Sequence, residues 1–564
     1  MSATVSPRFT NAAPQIRLSL RAAFCLSAPL IVGLIINQRV YAIVFSIGAL
    51  WAISQDGLDE WSVRGPRLLW VAAAAGVGAT VGATTVGYSS AEWALTTLFG
   101  VTALIAGFIE ASNWATPGAY LLIGTIVGAG LQFSGKVWQS CLALFLGALW
   151  VYSLAALMDY RRHLSNQQIF LAYAFDSLAQ LVEAVGSSRF YELRAKAVVS
   201  LDAAQDVVGD SRRHTGNAEE VALHQSLIVA LRTGEVISYL EGKDLNVDPS
   251  VPATLREVAN TLRVSSGIEA RSLLEGLPAR FGTIEGLSTK IMAVLALTDP
   301  SQLRASTPRG SSRASTRSRL PMNERVRFAL ILGLAIAVGT VIAQTIDGPH
   351  GFWLPLSVAF ILRPDLGPVM TRALARTAGT IIGVSIAAFV VWMGNSIVVL
   401  IVLSCVMAGA VPWAVKRSHL LAVVTFTPIV FVFLSLLGTD KYLLVPRIID
   451  TALGAAIVLL FDLFLWSTAP SLRPTQQLEK ARRASERYGR EASRDDAIRR
   501  HLLRRSALRA VANARSSLAQ AKSEPHPLRR PDSTTVAELD DIEASIDAHT
   551  VSLLEGTSSE PPHR

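Results

Sequence analysis

Two stretches of this chain, residues 18–158 and 326–467, hold almost all of its long uncharged apolar runs, a pattern that suits lipid rather than water as the surrounding solvent. Residues 159–325 and 468–564 hold most of the charge. A hydrocarbon layer about 30 Å thick takes about 20 apolar residues per helix, at a rise of about 1.5 Å each. On that ruler the first block divides into segments near 18–37, 39–54, 68–87, 93–109, 116–133 and 137–158. The second divides near 326–346, 350–363, 374–394, 397–414, 418–437 and 441–467. The expected fold is all-α: a polytopic membrane protein with two six-helix transmembrane modules and cytoplasmic helical domains.

Charge supports that reading. Only 17% of the 564 residues are charged, against about 25% in soluble domains. The net charge of +9 does not point to nucleic acid, because the surplus sits beside the apolar runs, as at Arg161 and Arg162 and in the Arg-rich stretch 304–319. Arg17 and Arg21, Arg64 and Arg67, Arg325 and Arg327, Arg372 and Arg376, and Lys416 and Arg417 all fall on one side under this division. That side is the cytoplasm by the positive-inside rule, which places both termini and the middle region there. An even number of spans per block makes the repeat parallel rather than inverted. Cys25, Cys141 and Cys405 lie in apolar runs without CxxC spacing, so neither a disulfide framework nor a zinc site is expected. The first apolar run lacks a convincing cleavage site and reads as an uncleaved first helix.

The blocks share punctuation. A short span ends in ISQD at Asp56 before Arg64, Arg67 and a Gly/Ala-rich run; another ends in ILRPD at Asp365 before Arg372, Arg376 and the run TAGTIIGVSIAAF. The expected organisation is a cytoplasmic arm (1–17), a first module (18–158), a helical domain (159–299), a basic Ser/Arg-rich linker (300–324), a second module (325–468) and a helical C-terminal region with a disordered tail (469–564). In the middle domain Leu171, Phe175, Leu178, Val182 and Val185 step by four and three along one helical stripe.

No P-loop, GxSxG elbow or HExxH motif occurs, so neither catalysis nor pumping by the chain's own ATP hydrolysis is expected, and no cofactor or metal. Ionisable and helix-breaking residues at membrane depth remain, and they are costly there unless they serve a function. The densest group runs from Gly348 to Arg376. Its apolar part, Phe352 to Leu362, is too short to cross as a regular helix, and Pro355 and Pro364 each remove a backbone donor. Short interrupted spans at matching positions of two halves point to a transporter's binding site. An aromatic carboxylate needs a guanidinium for its charge and an aromatic wall for its ring. Arg363, Arg372 and Arg376 supply the first, and Phe352 and Trp353 the second. Ordinary membrane anchoring for Arg372 and Arg376, and a structural bridge between Arg363 and Asp365, are the competing readings. His350 and Asp450 are the candidates for proton coupling, with pairing to Arg447 the alternative for Asp450. Asp462 reads as structural and Trp466 as an interface anchor.

HGFWLPLSVAFILRPD followed by TRALARTAGTIIG resembles the transmembrane module of the fusaric acid resistance and aromatic acid exporter family. PRIIDTALGAAIVLL is similar to that module's last helix, and RAVANARSSLAQAKSEP to the helical tail after it. The resemblance covers 326–525 and is weaker over 1–160, where ISQD replaces the arginine-proline-aspartate end. It implies an inner-membrane protein of two modules, with relatives that export aromatic carboxylic acids and plant relatives that conduct malate. The expected function is efflux of a small organic anion, with a passive anion channel and a membrane scaffold or sensor as alternatives. A homo-oligomer and a periplasmic adaptor both remain open as partners.

Overall fold

The computed structural model describes residues 12–57, 61–88, 92–112, 115–130, 137–160, 163–209, 218–243, 245, 247–281, 322–346, 352–364, 369–393, 396–438, 444–465, 469–492, 497–522 and 533–556. His350, Asp365, Trp466, residues 1–11 of the arm, 300–321 of the linker, and 523–532 and 557–564 of the tail lie outside these; the rest of the tail, expected to be disordered, is a helix over Ser533–Gly556. The described residues are helical and contain no strand. They fall into two compact units, Met1–Arg161 with Arg317–Ser467, and Arg162–Thr316 with Thr468–Arg564.

The first unit holds α1 (Ala12–Ile35), α2 (Arg39–Gln55), α3 (Trp61–Tyr88), α4 (Glu92–Ala111), α5 (Ala115–Gly130) and α6 (Val137–Tyr160). The second unit's middle-region helices are α7 (His163–Val182), α8 (Phe190–Gly209), α9 (Ala218–Gly242), α10 (Ser250–Val264), α11 (Gly267–Glu275) and α12 (Leu277–Phe281). The first unit resumes with α13 (Met322–Thr345), α14 (Trp353–Ile361), α15 (Val369–Trp392), α16 (Ile397–Arg417), α17 (His419–Leu436) and α18 (Leu444–Leu465). The second unit ends with α19 (Ala469–Glu491), α20 (Ala497–Lys522) and α21 (Ser533–Gly556).

Helices thus stand at all twelve places read from the hydropathy, but among the described residues nine are long and apolar enough to cross a membrane. The others in these blocks, α2, α5 and α14, are shorter, with 17, 16 and 9 residues. The shortness of α2 and α14 follows the sequence reading; that of α5 does not. Within each block the same pairs pack: first on second, third on fifth, fourth on fifth, and both second and third on sixth. Across the blocks the first helix of each lies on the fourth of the other, α1 on α16 and α13 on α4. A shared apolar core gathers Leu26, Leu30, Ile53 and Val151 with Val411, Ile429 and Phe433.

Lipid tails are as apolar as leucine, so helices in a membrane associate through close packing of small residues. The α3–α5 pair does this with two facing GxxxG patterns: a Cβ on Gly82 would sit 2.1 Å from the Thr125 carbonyl oxygen, and one on Gly128 2.3 Å from that of Ala79. Gly128→Ile is accordingly expected to separate the helices and cost about 1–3 kcal/mol or more. The check is the midpoint temperature of the purified protein in detergent, which should fall relative to Val127→Ile.

In the second unit the predicted stripe is a core face: Leu171, Phe175, Leu178 and Val182 are buried. Helix α7 packs on α8, α9 and α10, while α20 lies on α8 and α21 on α9. An ion network joins α8 to α21. Arg194 donates to Asp547 (2.5 and 2.6 Å) and to Glu543 (2.8 and 3.1 Å), and Arg515 donates to Glu543 (2.6 Å) and to Asp540. Burial opposes the Arg194 charge, but Asp547 and Glu543 outweigh it and hold the group above its ordinary pKa.

Candidate functional site

Helix α14 organises the site. It starts just after Phe352 and stops at Leu362, whose backbone is extended, because Pro364 keeps Arg363 out of helical geometry. Its nine residues are mostly buried, packed among α5, α13 and α18. The Phe352 ring presses on the end of α5, where a Cβ on Gly130 would fall 2.1 Å from it, so this approach requires glycine. Trp353 is buried, edge-on to Phe352 and Phe431 with ring centroids 6.0 and 6.4 Å apart.

Trp353 and Phe360 are seven residues apart and therefore lie on one face of α14, two turns from each other. Each carries a guanidinium: Arg447 of α18 lies 4.8 Å from the Trp353 ring centroid, and Arg376 of α15 lies 4.3 Å from that of Phe360. Arg447 and Arg363 both lie close enough to Arg376 to repel it. Arg376 is 7% exposed and Arg447 6%, and neither has a carboxylate within ion-pair distance among the described residues. Their Nε atoms, and Nη1 of Arg447, are buried without a hydrogen-bond acceptor.

Two carboxylates stand near. Glu110, 4% exposed at the end of α4, lies 3.5 Å from Arg363, so the first block contributes an acid to the second block's cluster. Asp450 is 9% exposed and interacts with Arg447, yet no salt bridge closes between them because the Arg447 guanidinium is turned onto Trp353. Among the described residues, Arg363, Arg376 and Arg447 thus face Glu110 and Asp450, so guanidiniums outnumber carboxylates around α14. Tyr120 of α5 adds a polar edge: its hydroxyl meets Ser54 at 2.8 Å, receives Gln55 at 3.2 Å and lies near Arg363 and Arg67.

The residues singled out in the sequence therefore separate. Trp353, Arg363, Arg376 and Asp450 converge, with Phe352 at the start of α14. Arg372 sits one helical turn before Arg376 and is half-buried, and it makes contacts of its own. His350 and Asp365 lie outside the described residues. Sequence reasoning missed Glu110, Tyr120 and Phe360, and treated Arg447 only as a partner for Asp450. Glu110 was findable, as an acid inside an apolar run. Tyr120 and Phe360 carried no signal, since an aromatic residue in an apolar helix is unremarkable.

The matching place in the first block is built differently. Asp56 ends α2 and takes Arg21 and, at 3.5 Å, Arg64, while Arg64 also donates to the Gly57 carbonyl and lies 5.2 Å from the Trp61 ring centroid. All three side chains are buried. Here a carboxylate of the protein fills the place between guanidiniums.

This architecture defines a multi-pass helical membrane protein with an intramembrane cationic cluster around a short broken helix. Residues 334–461, which include most of that cluster, match the family model described as fusaric acid resistance protein-like. The inner membrane protein YccS of Escherichia coli is homologous, 28% identical over 265 residues that cover 45% of this chain and 36% of YccS. A Neisseria gonorrhoeae protein, ORF2, is 31% identical over 143 residues, 25% of this chain and 34% of that protein. The membrane protein YvaC of Bacillus subtilis is 22% identical over 473 residues, 79% of this chain and 72% of YvaC. The match thus spans about a third of the length of the first two relatives. No solved structure matches the chain.

Proposed function

We propose that this protein is a secondary exporter of small, aromatic organic acids, working in the inner membrane and driven by the proton gradient. The observation that carries the reading is the surplus guanidinium charge on the aromatic face of α14. Desolvating an ion costs several kcal/mol unless an opposite charge accompanies it, so the cluster favours a monovalent anion. The rings of Trp353 and Phe360, each beside a guanidinium, and the fork geometry of arginine suit a planar aromatic carboxylate. In this scheme Arg376 and Arg447 hold the carboxylate, Arg363 alternates between Glu110 and the solute, and Phe352 and Trp353 form the wall. Both termini are cytoplasmic, and transport runs outward.

Asp450 is the coupling group in this scheme, because it lies beside Arg447 without bonding to it: it takes a proton from the outside after the solute has left and releases it to the cytoplasm before the next solute binds. The test is flux of labelled benzoate from loaded proteoliposomes, with and without a pH gradient. Wild type is expected to accelerate at least about tenfold under the gradient. Asp450→Asn should lose that acceleration while retaining benzoate exchange, since it keeps size and hydrogen bonding but cannot titrate. Equal flux with and without the gradient in wild type would favour a passive channel.

A further inference from the structure

The second unit contains a cleft open to solvent where α7, α8, α9 and α20 meet. Its walls are leucines, notably Leu178, Leu201, Leu231 and Leu508. Gly234 leaves room between them: a Cβ there would come no nearer than 3.7 Å to Leu201 and 3.9 Å to Leu178. A leucine-lined recess that reaches solvent is costly to keep hydrated, and it favours an apolar occupant.

The charged groups at the cleft differ in what holds them. Arg194 is bound to Asp547 and Glu543, and Arg505 and Arg509 both donate to Asp202, at 2.6 and 2.5 Å. Glu235, near the same end, is engaged by Arg232 at 3.0 Å. Arg504 is different. It is 7% exposed, and among the described residues no carboxylate lies within ion-pair distance of it. Its Nη2 donates to the neutral Ser238 hydroxyl (2.6 Å) and the Gly234 carbonyl (3.0 Å), and its Nε is buried without an acceptor. The cleft therefore pairs an apolar wall with a buried guanidinium that keeps its charge and part of its donor set unanswered.

We propose that this cleft is a binding site for a small monocarboxylate with an apolar body, its carboxylate on Arg504 and its hydrocarbon against Leu178, Leu201 and Leu231. The site is separate from the membrane cluster and does not depend on the transport reading. A cation of the same shape is excluded by Arg504, Arg505 and Arg509, and a doubly charged acid gains nothing because the neighbouring arginines are already taken.

The probe is octanoate, added to the full chain in nanodiscs and followed by hydrogen–deuterium exchange. Octanoate is expected to slow exchange in peptides covering 228–240 and 500–512, and n-octylamine to leave them unchanged. R504Q should weaken the octanoate effect at least tenfold, since it removes the charge and keeps a hydrogen-bonding side chain. L201W, which fills the recess and leaves Arg504 in place, should abolish it. Should R504Q fail to fold, L201W decides alone. The proposal is overturned by millimolar octanoate giving no protection in wild type, by octylamine protecting equally, or by protection that survives in folded R504Q or L201W.

Discussion

Replacing Arg376 or Arg447 by Gln is expected to cut benzoate flux by at least about 30-fold, because removing one partner of a desolvated charge pair costs about 2–5 kcal/mol. The same changes should leave the protein at least as stable as wild type. These guanidiniums lie buried close to one another, and among the described residues no carboxylate is bonded to either, an arrangement that opposes folding. Function held at the expense of stability separates a binding residue from a structural one. Arg376→Lys keeps the charge but loses the planar fork and the stacking on Phe360, so it should fall between wild type and R376Q. Flux in proteoliposomes and midpoint temperature in detergent are the two readouts. Wild-type flux with a lowered midpoint would turn both arginines into packing elements and remove the basis of the transport proposal.

The opposite outcome is expected at the corresponding place in the first block. Asp56→Ala removes the carboxylate between Arg21 and Arg64, leaving two buried guanidiniums to repel, at a cost of about 3–5 kcal/mol. Purified protein should show a lower midpoint temperature and poorer recovery from the membrane. Restoring charge balance with Arg21→Gln in the Asp56→Ala background should recover part of the loss, which a double-mutant cycle measures directly. If Asp56→Ala were stable yet inactive, the first block would also bind solute, and the assignment of its ion cluster to structure would fail.

Those two clusters show why the site was only half legible from sequence. Both blocks carry an acid at the end of a short span and arginines a few residues on, and the spelling alone treats them alike. In the fold, Asp56 is enclosed by Arg21 from another helix, 35 residues away, while Arg363 meets Glu110, 253 residues away. Distances of that kind are set by which helices pack together, and one chain's hydropathy contains no term for it.

What the amino-acid order determined by itself was local and solvent-driven: where helices form, which runs belong in lipid, where α2 and α14 fall short, and the buried stripe of α7. These follow because backbone hydrogen bonding in lipid permits little besides helices, and because the apolar period marks the inward face. The tertiary structure alone decided that Trp353 and Phe360 each carry an arginine from a different helix. It also decided that Glu110 reaches the second block's cluster, and that Arg447 turns from Asp450 onto an aromatic ring. Charge balance inside a membrane is a property of neighbours in space, so the surplus cation on α14 exists only once α4, α15 and α18 have closed around it.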